Sequence, residues 1–178
     1  MITHLKGIVH EVGQDHVVLD VGGIGYYIMC SRLTLNQLAK DDDVCLMTEL
    51  VIREDAHLLY GFKHDDERSM YRLVTAVPGV GSKVAMALLS EGTPQDIVQA
   101  IQNEDKAYFC RAEGVGPKLG ARLVTELKNQ TKKLAAFSLT VSGDPSTKSY
   151  RAPSPLIVDA RIALSGLGYK PSDIDKAM

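Results

Sequence analysis

The sequence predicts a multidomain protein in which an all-β domain is followed by an all-α domain, a flexible linker and a short helical segment. Three observations support this order. Residues 1–62 alternate apolar and polar side chains and are rich in Val and Ile, as strands are. Residues 63–133 have helical periodicity and contain the motif Gly-Val-Gly twice, at 79–81 and 114–116. Residues 134–154 are rich in Ser, Gly and Pro, which is typical of a linker.

The first domain, residues 1–62, is predicted to be a small β-barrel. Turns are expected at 13–15 and 22–25, where Gly and Asp cluster, and a short helical connection at Thr34–Leu38. Five short strands in one small domain favour the five-stranded OB-fold. The predicted strands are Leu5–Val12, His16–Val21, Tyr26–Cys30, Val44–Arg53 and His57–Phe62.

The second domain, residues 63–133, is predicted to be helical. Thr93-Pro94-Gln95-Asp96 is a helix start signal, with Thr at the N-cap, Pro at the first helical position and an acid at the third. Apolar residues recur at intervals of three or four in the other helical segments. These segments are Arg68–Val77, Ser82–Leu89, Ala107–Ala112 and Pro117–Gln130.

Each Gly-Val-Gly motif is followed two residues later by Lys, and this combination predicts a phosphate-binding turn between two helices. Glycines let a partner approach the backbone closely, and the free N–H groups at the start of the next helix favour an anion. We interpret the two segments as helix-hairpin-helix motifs that bind DNA without sequence preference. The candidate DNA-binding residues are Gly79, Val80, Gly81, Ser82, Lys83, Gly114, Val115, Gly116, Pro117 and Lys118.

The net charge of −2 conceals an uneven distribution. Residues 1–62 hold 4 Lys and Arg against 9 Asp and Glu, residues 63–133 hold 11 against 9, and residues 134–178 hold 5 against 4. The segment with the hairpins is therefore basic, whereas the predicted barrel is acidic and opposes indiscriminate binding to DNA.

Composition argues against several classes of function. No apolar run approaches the roughly 20 residues of a membrane helix, and the N-terminus has no signal-peptide pattern. Cys30, Cys45 and Cys110 are too widely spaced for a disulfide framework or a zinc site, so we expect a cytoplasmic protein. The histidines show no metal spacing, and residues 79–83 lack the spacing of a nucleotide-binding loop. We expect no metal ion, no cofactor and no ATP hydrolysis by this chain.

Other segments accompany the hairpins: Val21–Tyr26 with three glycines, Arg53-Glu54-Asp55-Ala56 followed by Leu58–Phe62, and Leu167–Pro171. With these segments the chain resembles the RuvA family of bacterial Holliday junction-binding proteins over nearly its whole length. The resemblance implies an N-terminal OB-fold, a central domain with two helix-hairpin-helix motifs and a tethered C-terminal three-helix domain.

The resemblance also implies a function and a set of partners. Family members are expected to form a homotetramer with fourfold symmetry, or an octamer of two tetramers, that binds four-way junction DNA and holds it open and square. The C-terminal domain is expected to contact RuvB, the hexameric ATPase that drives branch migration in recombination and repair. The RuvC resolvase is a further candidate partner. The chain itself is then a non-catalytic DNA-binding subunit.

The family's site residues carry over by position. Both hairpins match, and Arg122, one turn along the last helix, matches a residue that could reach a phosphate. Pro117 stands where the family often has a basic residue, so one backbone N–H and one possible cation are missing from the second hairpin. Glu54 and Asp55 match the family's acidic pin, whose carboxylates would repel phosphates at the crossover, and Arg53 could attract the separated strand.

The C-terminal part of the chain is expected to be a partial RuvB-binding domain. Residues 155–178 regain helical periodicity, and Leu164, Leu167 and Tyr169 are its candidate partner contacts. The family's third domain runs through about two further helices, whereas this chain stops at Met178.

An alternative from the residues alone is an enzyme, such as a glycosylase or nuclease, that uses the hairpins to position its substrate. It would need a catalytic Asp or Lys in a cleft beyond a hairpin, and Glu126 is expected to be an ordinary surface residue. Taken alone, Glu54-Asp55 would be a solvated turn. We expect Tyr26, Tyr27 and Tyr60 to be core residues and not groups that stack on the bases of a single strand.

Overall fold

The N-terminal residues form a closed five-stranded barrel. In a computed structural model of the chain, residues 1–129 are described. The barrel order is β1-β2-β3-β5-β4, with β4 returning to β1. All neighbouring strands are antiparallel except β3 and β5, which are parallel at Met29–Tyr60 and Cys30–Gly61. The strands are β1 (His4–Val12), β2 (His16–Val21), β3 (Ile24–Cys30), β4 (Asp43–Ile52) and β5 (His57–Phe62). The predicted OB-like barrel is confirmed.

Alternation along the strands fills the barrel with apolar side chains. Val9, Val17, Leu19, Ile28 and Leu46 are fully buried inside it. On β3 the inward positions are Ile28 and Cys30, so Tyr27 points out of the barrel.

The prediction that Tyr27 belongs to the core is therefore wrong. Tyr27 is 55% exposed, and its ring stacks on that of His16 with centroids 4.1 Å apart. Tyr60 is buried as predicted, and Tyr26 is half-buried.

Within residues 1–129, six helices accompany the barrel, one inside the barrel domain and five after it. They are α1 (Arg32–Leu35), α2 (Asp65–Thr75), α3 (Ser82–Glu91), α4 (Pro94–Gln102), α5 (Lys106–Phe109) and α6 (Pro117–Asn129). The start predicted for α4 is confirmed, because Thr93 and Asp96 form a reciprocal capping box.

Three helix boundaries differ from the prediction for local reasons. Helix α1 starts at Arg32 because the Ser31 side chain accepts a hydrogen bond from the Thr34 N–H. Helix α2 starts at Asp65, three residues early, and its first turn holds three acids that complement the helix dipole. Helix α5 has a single turn, which Asp105 caps by accepting from the Tyr108 N–H.

The barrel and the helices share one packed interface. The Tyr71 ring of α2 lies 5.4 Å from that of Tyr60 and 5.2 Å from that of Phe62, both on β5. Polar contacts reinforce this packing, since the Thr34 hydroxyl donates to Glu67 at 3.1 Å. The Arg32 N–H of α1 also donates to the Ser90 hydroxyl of α3 at 3.0 Å. Strands β4 and β5 and the first hairpin are therefore parts of one continuous core.

Candidate nucleic-acid interface

The first hairpin joins α2 to α3 through residues 76–81. Gly79 has φ +91°, a conformation that side chains disfavour, and it turns the chain back sharply. No side chain caps α3 at Gly81. Within residues 1–129, nothing accepts a hydrogen bond from the N–H groups of Ser82 and Lys83. The positive end of α3 thus presents free donors to solvent, as an anion-binding helix start requires.

The second hairpin joins α5 to α6 and repeats this geometry. Gly114 has φ +85°, and α6 begins at Pro117. The N–H of Lys118 has no acceptor among the described residues. Pro117 has no N–H to offer, so this helix start presents one donor fewer than that of α3.

The two hairpins are related by an internal repeat and contact one another. Residues 79–83 recur at 114–118, so that Val84 and Leu119 occupy equivalent positions. A Cβ atom on Gly114 would lie 3.3 Å from Val84 Cγ2, and one on Gly79 would lie 3.8 Å from Leu119 Cδ1. Each turn therefore packs against the helix that follows the other turn, which places the two free helix starts side by side.

Val80 and Val115, two of the predicted DNA-binding residues, lie buried in the two hairpin turns. Each is 7% exposed. Their N–H groups donate within their own turns, to the carbonyl oxygens of Val77 and Ala112. The residue between the two glycines anchors the turn in the core. The helix that follows the turn therefore starts in a fixed direction.

Ser82 and Arg122 also make intramolecular contacts that the sequence does not predict. The Ser82 side chain is buried and its hydroxyl accepts a 2.7 Å hydrogen bond from Tyr71, so only its N–H faces outward. The Arg122 guanidinium reaches across to the first hairpin, where Nη1 donates to the Pro78 carbonyl at 3.1 Å. Arg122 therefore adds its charge to the first hairpin and not to the second.

The two hairpin lysines are exposed but have different surroundings. Lys83 Nζ lies 3.1 Å from Glu113 Oε1, with the lysine side chain 86% exposed. Lys118 forms no ion pair with any of residues 1–129. Glu113 directly precedes the second Gly-Val-Gly, where the first repeat has Pro78. A carboxylate of the second hairpin thus lies beside the lysine of the first hairpin.

Arg53, Glu54 and Asp55 form the turn between β4 and β5. The strand ladder reaches its last pair at Ile52 and His57, and the Arg53 N–H donates to the Ala56 carbonyl at 2.8 Å. Strand β4 pairs with β1 only as far as Met47. Strand β5 still pairs with β3 at Tyr60, which lies opposite Glu49. Beyond Glu49 and Tyr60, β4 and β5 therefore form a two-stranded arm that carries the three exposed charged residues at its tip.

Comparisons with known proteins agree with this geometry. A family model described as the RuvA N-terminal domain matches residues 1–61, and one described as a SAM-like helix-hairpin-helix tandem matches residues 71–129. A Paramagnetospirillum magneticum protein named "Holliday junction branch migration complex subunit RuvA" is 43% identical over 174 residues, covering 96% of this chain and 82% of its own. The chain belongs to the RuvA family.

Two further RuvA relatives have the same name and also match nearly the whole chain. The protein of Nitrobacter winogradskyi is 42% identical over 95% of this chain and 83% of its own length. That of Novosphingobium aromaticivorans is 41% identical over all of this chain and 87% of its own length.

In this RuvA-family chain, two charged residues beside the predicted ones were not expected from the sequence. Glu113 pairs with Lys83, and Arg72 of α2 pairs with Glu49 of β4 through Nε at 2.9 Å and Nη2 at 2.6 Å. Comparing the two repeats would have drawn attention to Glu113 opposite Pro78. Arg72 has no such signal, since its partner is 23 residues earlier in the chain.

Other predictions for this RuvA-family chain concern features away from the hairpins. Residues 1–129 contain no cluster of three potential metal ligands. None of the helices within this range is both long and apolar enough to cross a bilayer. Glu126 lies half-buried on α6. The predicted linker and the candidate contacts Leu164, Leu167 and Tyr169 lie outside the described residues.

Proposed function

We propose that this chain binds four-way DNA junctions by their shape, holds them open and square, and brings the RuvB ATPase to them for branch migration. The observation that carries the proposal is the pair of repeat-related hairpins, each with an exposed lysine at an uncapped helix start. The same core also carries the charged arm tip. The relatives' name, a subunit of a Holliday junction branch migration complex, supports the same function.

The hairpins are proposed to bind the sugar-phosphate backbone of a duplex arm. Two adjacent helix starts with free N–H groups suit two phosphates, and Lys83 and Lys118 add charge without reading bases. Ser82 and Arg122 strengthen the first clamp through an N–H and a guanidinium group. The second clamp, with Pro117 in place of a donor, is the weaker of the two.

The acidic arm tip is proposed to act by repulsion. Two unit charges at contact interact by roughly 1 kcal/mol in bulk water and by more beside a protein. Glu54 and Asp55 would keep the four strands apart at a crossover and oppose the passage of an uninterrupted duplex. Arg53, on the same turn, would attract the strand that is separated there.

Assembly and partners complete the proposal. A fourfold homotetramer, single or paired as an octamer, matches a ligand with four arms. The RuvB contact is assigned to the C-terminal segment with Leu164, Leu167 and Tyr169, and RuvC is a further candidate partner. The chain supplies no catalytic group, and ATP hydrolysis comes from RuvB. A cytoplasmic location fits the three free thiols.

The decisive experiment compares binding to a synthetic four-way junction with binding to a linear duplex of equal length, at two salt concentrations. We expect a strong preference for the junction at both salts. Equal affinity for the two DNAs would contradict the proposal. Cleavage of junction, abasic or damaged DNA by the purified chain would favour the enzyme alternative instead.

A further inference from the structure

A groove connects the charged arm with the first hairpin. It encloses about 420 Å³. One wall is formed by Glu49 and Val51 of β4 and by Arg53 of the turn that follows, and the other by the end of α2 and the start of α3. The groove therefore leads from the turn assigned to the crossover to the helix start assigned to phosphate binding.

Positive charge is placed along this groove at three points. Arg53 lies at the arm end, and Arg72 lies in the last turn of α2. The uncapped start of α3 at Gly81 and Ser82 lies at the hairpin end. Glu49 is the only acid among the groove-lining residues within the described range, so the lining has a net positive charge before the helix start is counted.

The floor of the groove is formed by Tyr71. Tyr71 is buried, and its hydroxyl donates to Ser82 at the hairpin end. Burial raises the pKa of Tyr71 to about 12, whereas the Ser82 hydrogen bond and the positive charge of Arg53 act to lower it. With its pKa raised that far, Tyr71 stays neutral at physiological pH.

Arg72 is held in a defined orientation by Glu49. Its Nε and Nη2 both donate to Glu49 Oε2, while about half of the arginine side chain remains exposed. An arginine fixed at Nε and Nη2 keeps its Nη1 edge available for a second acceptor, and guanidinium groups bind phosphate oxygens well.

We infer that this groove is a phosphate-binding track for the DNA strand that runs from the crossover to the first hairpin, with Arg72 as its central contact. The inference rests on the proposed function and adds a contact outside the hairpins and the arm tip. Charge complementarity favours a DNA backbone as the occupant, since Arg53, Arg72 and the α3 start follow one path.

The first test uses both members of the ion pair. Arg72→Gln should weaken junction binding roughly three- to tenfold at low salt and reduce the salt slope by about one. Glu49→Gln should strengthen binding, because it removes the acid from the track. An ion pair that only stabilises the fold would shift both variants in the same direction, and that result would overturn the inference. Lys40→Gln, the same charge change at a cation outside the groove, is the control.

A second pair of variants leaves the ion pair intact. Ala76 is exposed and lines the groove. Ala76→Glu should bind the junction roughly three- to tenfold more weakly than Ala76→Gln, which has the same size without the charge. Equal binding by these two variants would also overturn the inference, even if Arg72→Gln failed to fold.

Ethylation interference separates this inference from the proposed function. In the parent, ethylated phosphates beside the crossover should impair binding, and Arg72→Gln should lose that interference while keeping interference at phosphates further along the arm. A parent that prefers the junction but gives the same pattern as Arg72→Gln would defeat the groove assignment alone. A parent without any junction preference would defeat the proposed function.

Discussion

Val84 Cγ2 lies 3.3 Å from where a Cβ atom of Gly114 would be, so the helix after the first hairpin is in contact with the turn of the second. The equivalent residue in the repeat, Leu119, packs near Gly79 in the same way. Because each turn contacts the helix that follows the other turn, packing between the hairpins fixes their relative position. Alanine substitutions at the glycines test it.

Gly114→Ala should destabilise the protein by about 1–2 kcal/mol, because φ +85° is unfavourable for a residue with a side chain and Val84 leaves little room. Chemical denaturation measures the change. Gly116→Ala is the matched control, since no atom lies within 4 Å of its added Cβ and its φ is not positive. Equal losses of stability in the two variants would contradict the packing argument.

Lys83→Ala combined with Lys118→Ala should weaken binding to every DNA, junction or duplex, and flatten the dependence of affinity on salt. Each lysine is assigned to one phosphate, so the slope of log affinity against log salt should fall by about two. Lys40→Ala provides the control for loss of a surface charge. A double variant with the parent's salt slope would remove the clamp assignment.

Glu113→Gln should strengthen DNA binding roughly threefold at low salt, because Lys83 loses the carboxylate that lies 3.1 Å from its Nζ and a phosphate no longer has to displace it. Titration of labelled duplex and junction measures the effect. Glu104→Gln, which releases Lys128 away from the hairpins, is the matched control. If the two variants bind DNA equally, Glu113 does not compete with phosphate.

Glu54→Gln combined with Asp55→Asn should improve binding to linear duplex about fivefold and so reduce selectivity for junctions. These substitutions keep the shape of the turn and remove only its charge, so that phosphates are no longer repelled. The ratio of junction to duplex affinity is the measurement. An unchanged duplex affinity would mean that the arm tip excludes duplex by shape and not by charge.

Glu67→Gln should change how stability depends on pH. Burial raises the pKa of Glu67, although hydrogen bonds from the Lys63 N–H and from Thr34 lower it. A carboxyl group whose pKa is higher in the folded state stabilises most below its unfolded pKa, and that contribution is lost as pH rises through the folded value. The stability of the parent relative to the variant should therefore fall as pH rises above the ordinary glutamate pKa of about 4.3. Parallel stability curves for the two proteins would contradict this.

The strands and helices were predictable to within a few residues because their signals are local. Alternation gave the five strands, and the Thr93–Asp96 box gave the start of α4. The errors at α1 and α2 arose where Ser31 and the acids at 65–67 extend a helix ahead of its apolar periodicity. Strict alternation on β3 would have placed Tyr27 outside, whereas its size suggested the core.

The positions of the candidate site residues were predictable, but the contacts that determine their availability were not. The repeat identified both turns and both lysines. The contacts of Lys83 with Glu113, of Arg122 with Pro78 and of Tyr71 with Ser82 span 11 to 44 residues of sequence. Such pairs depend on how the helices cross, which no local pattern encodes.

The shared packing of Tyr60, Phe62 and Tyr71 has a mechanical consequence. Because the β5 strand of the arm and the helix before the first hairpin are parts of one core, the distance from the arm tip to the first hairpin cannot change without unpacking aromatic rings. On a bound junction, the protein would keep a constant number of nucleotides between the branch point and the phosphate bound at the first hairpin. A motor that pulls on the arms would then move the branch point by the same number of nucleotides as the arms themselves move.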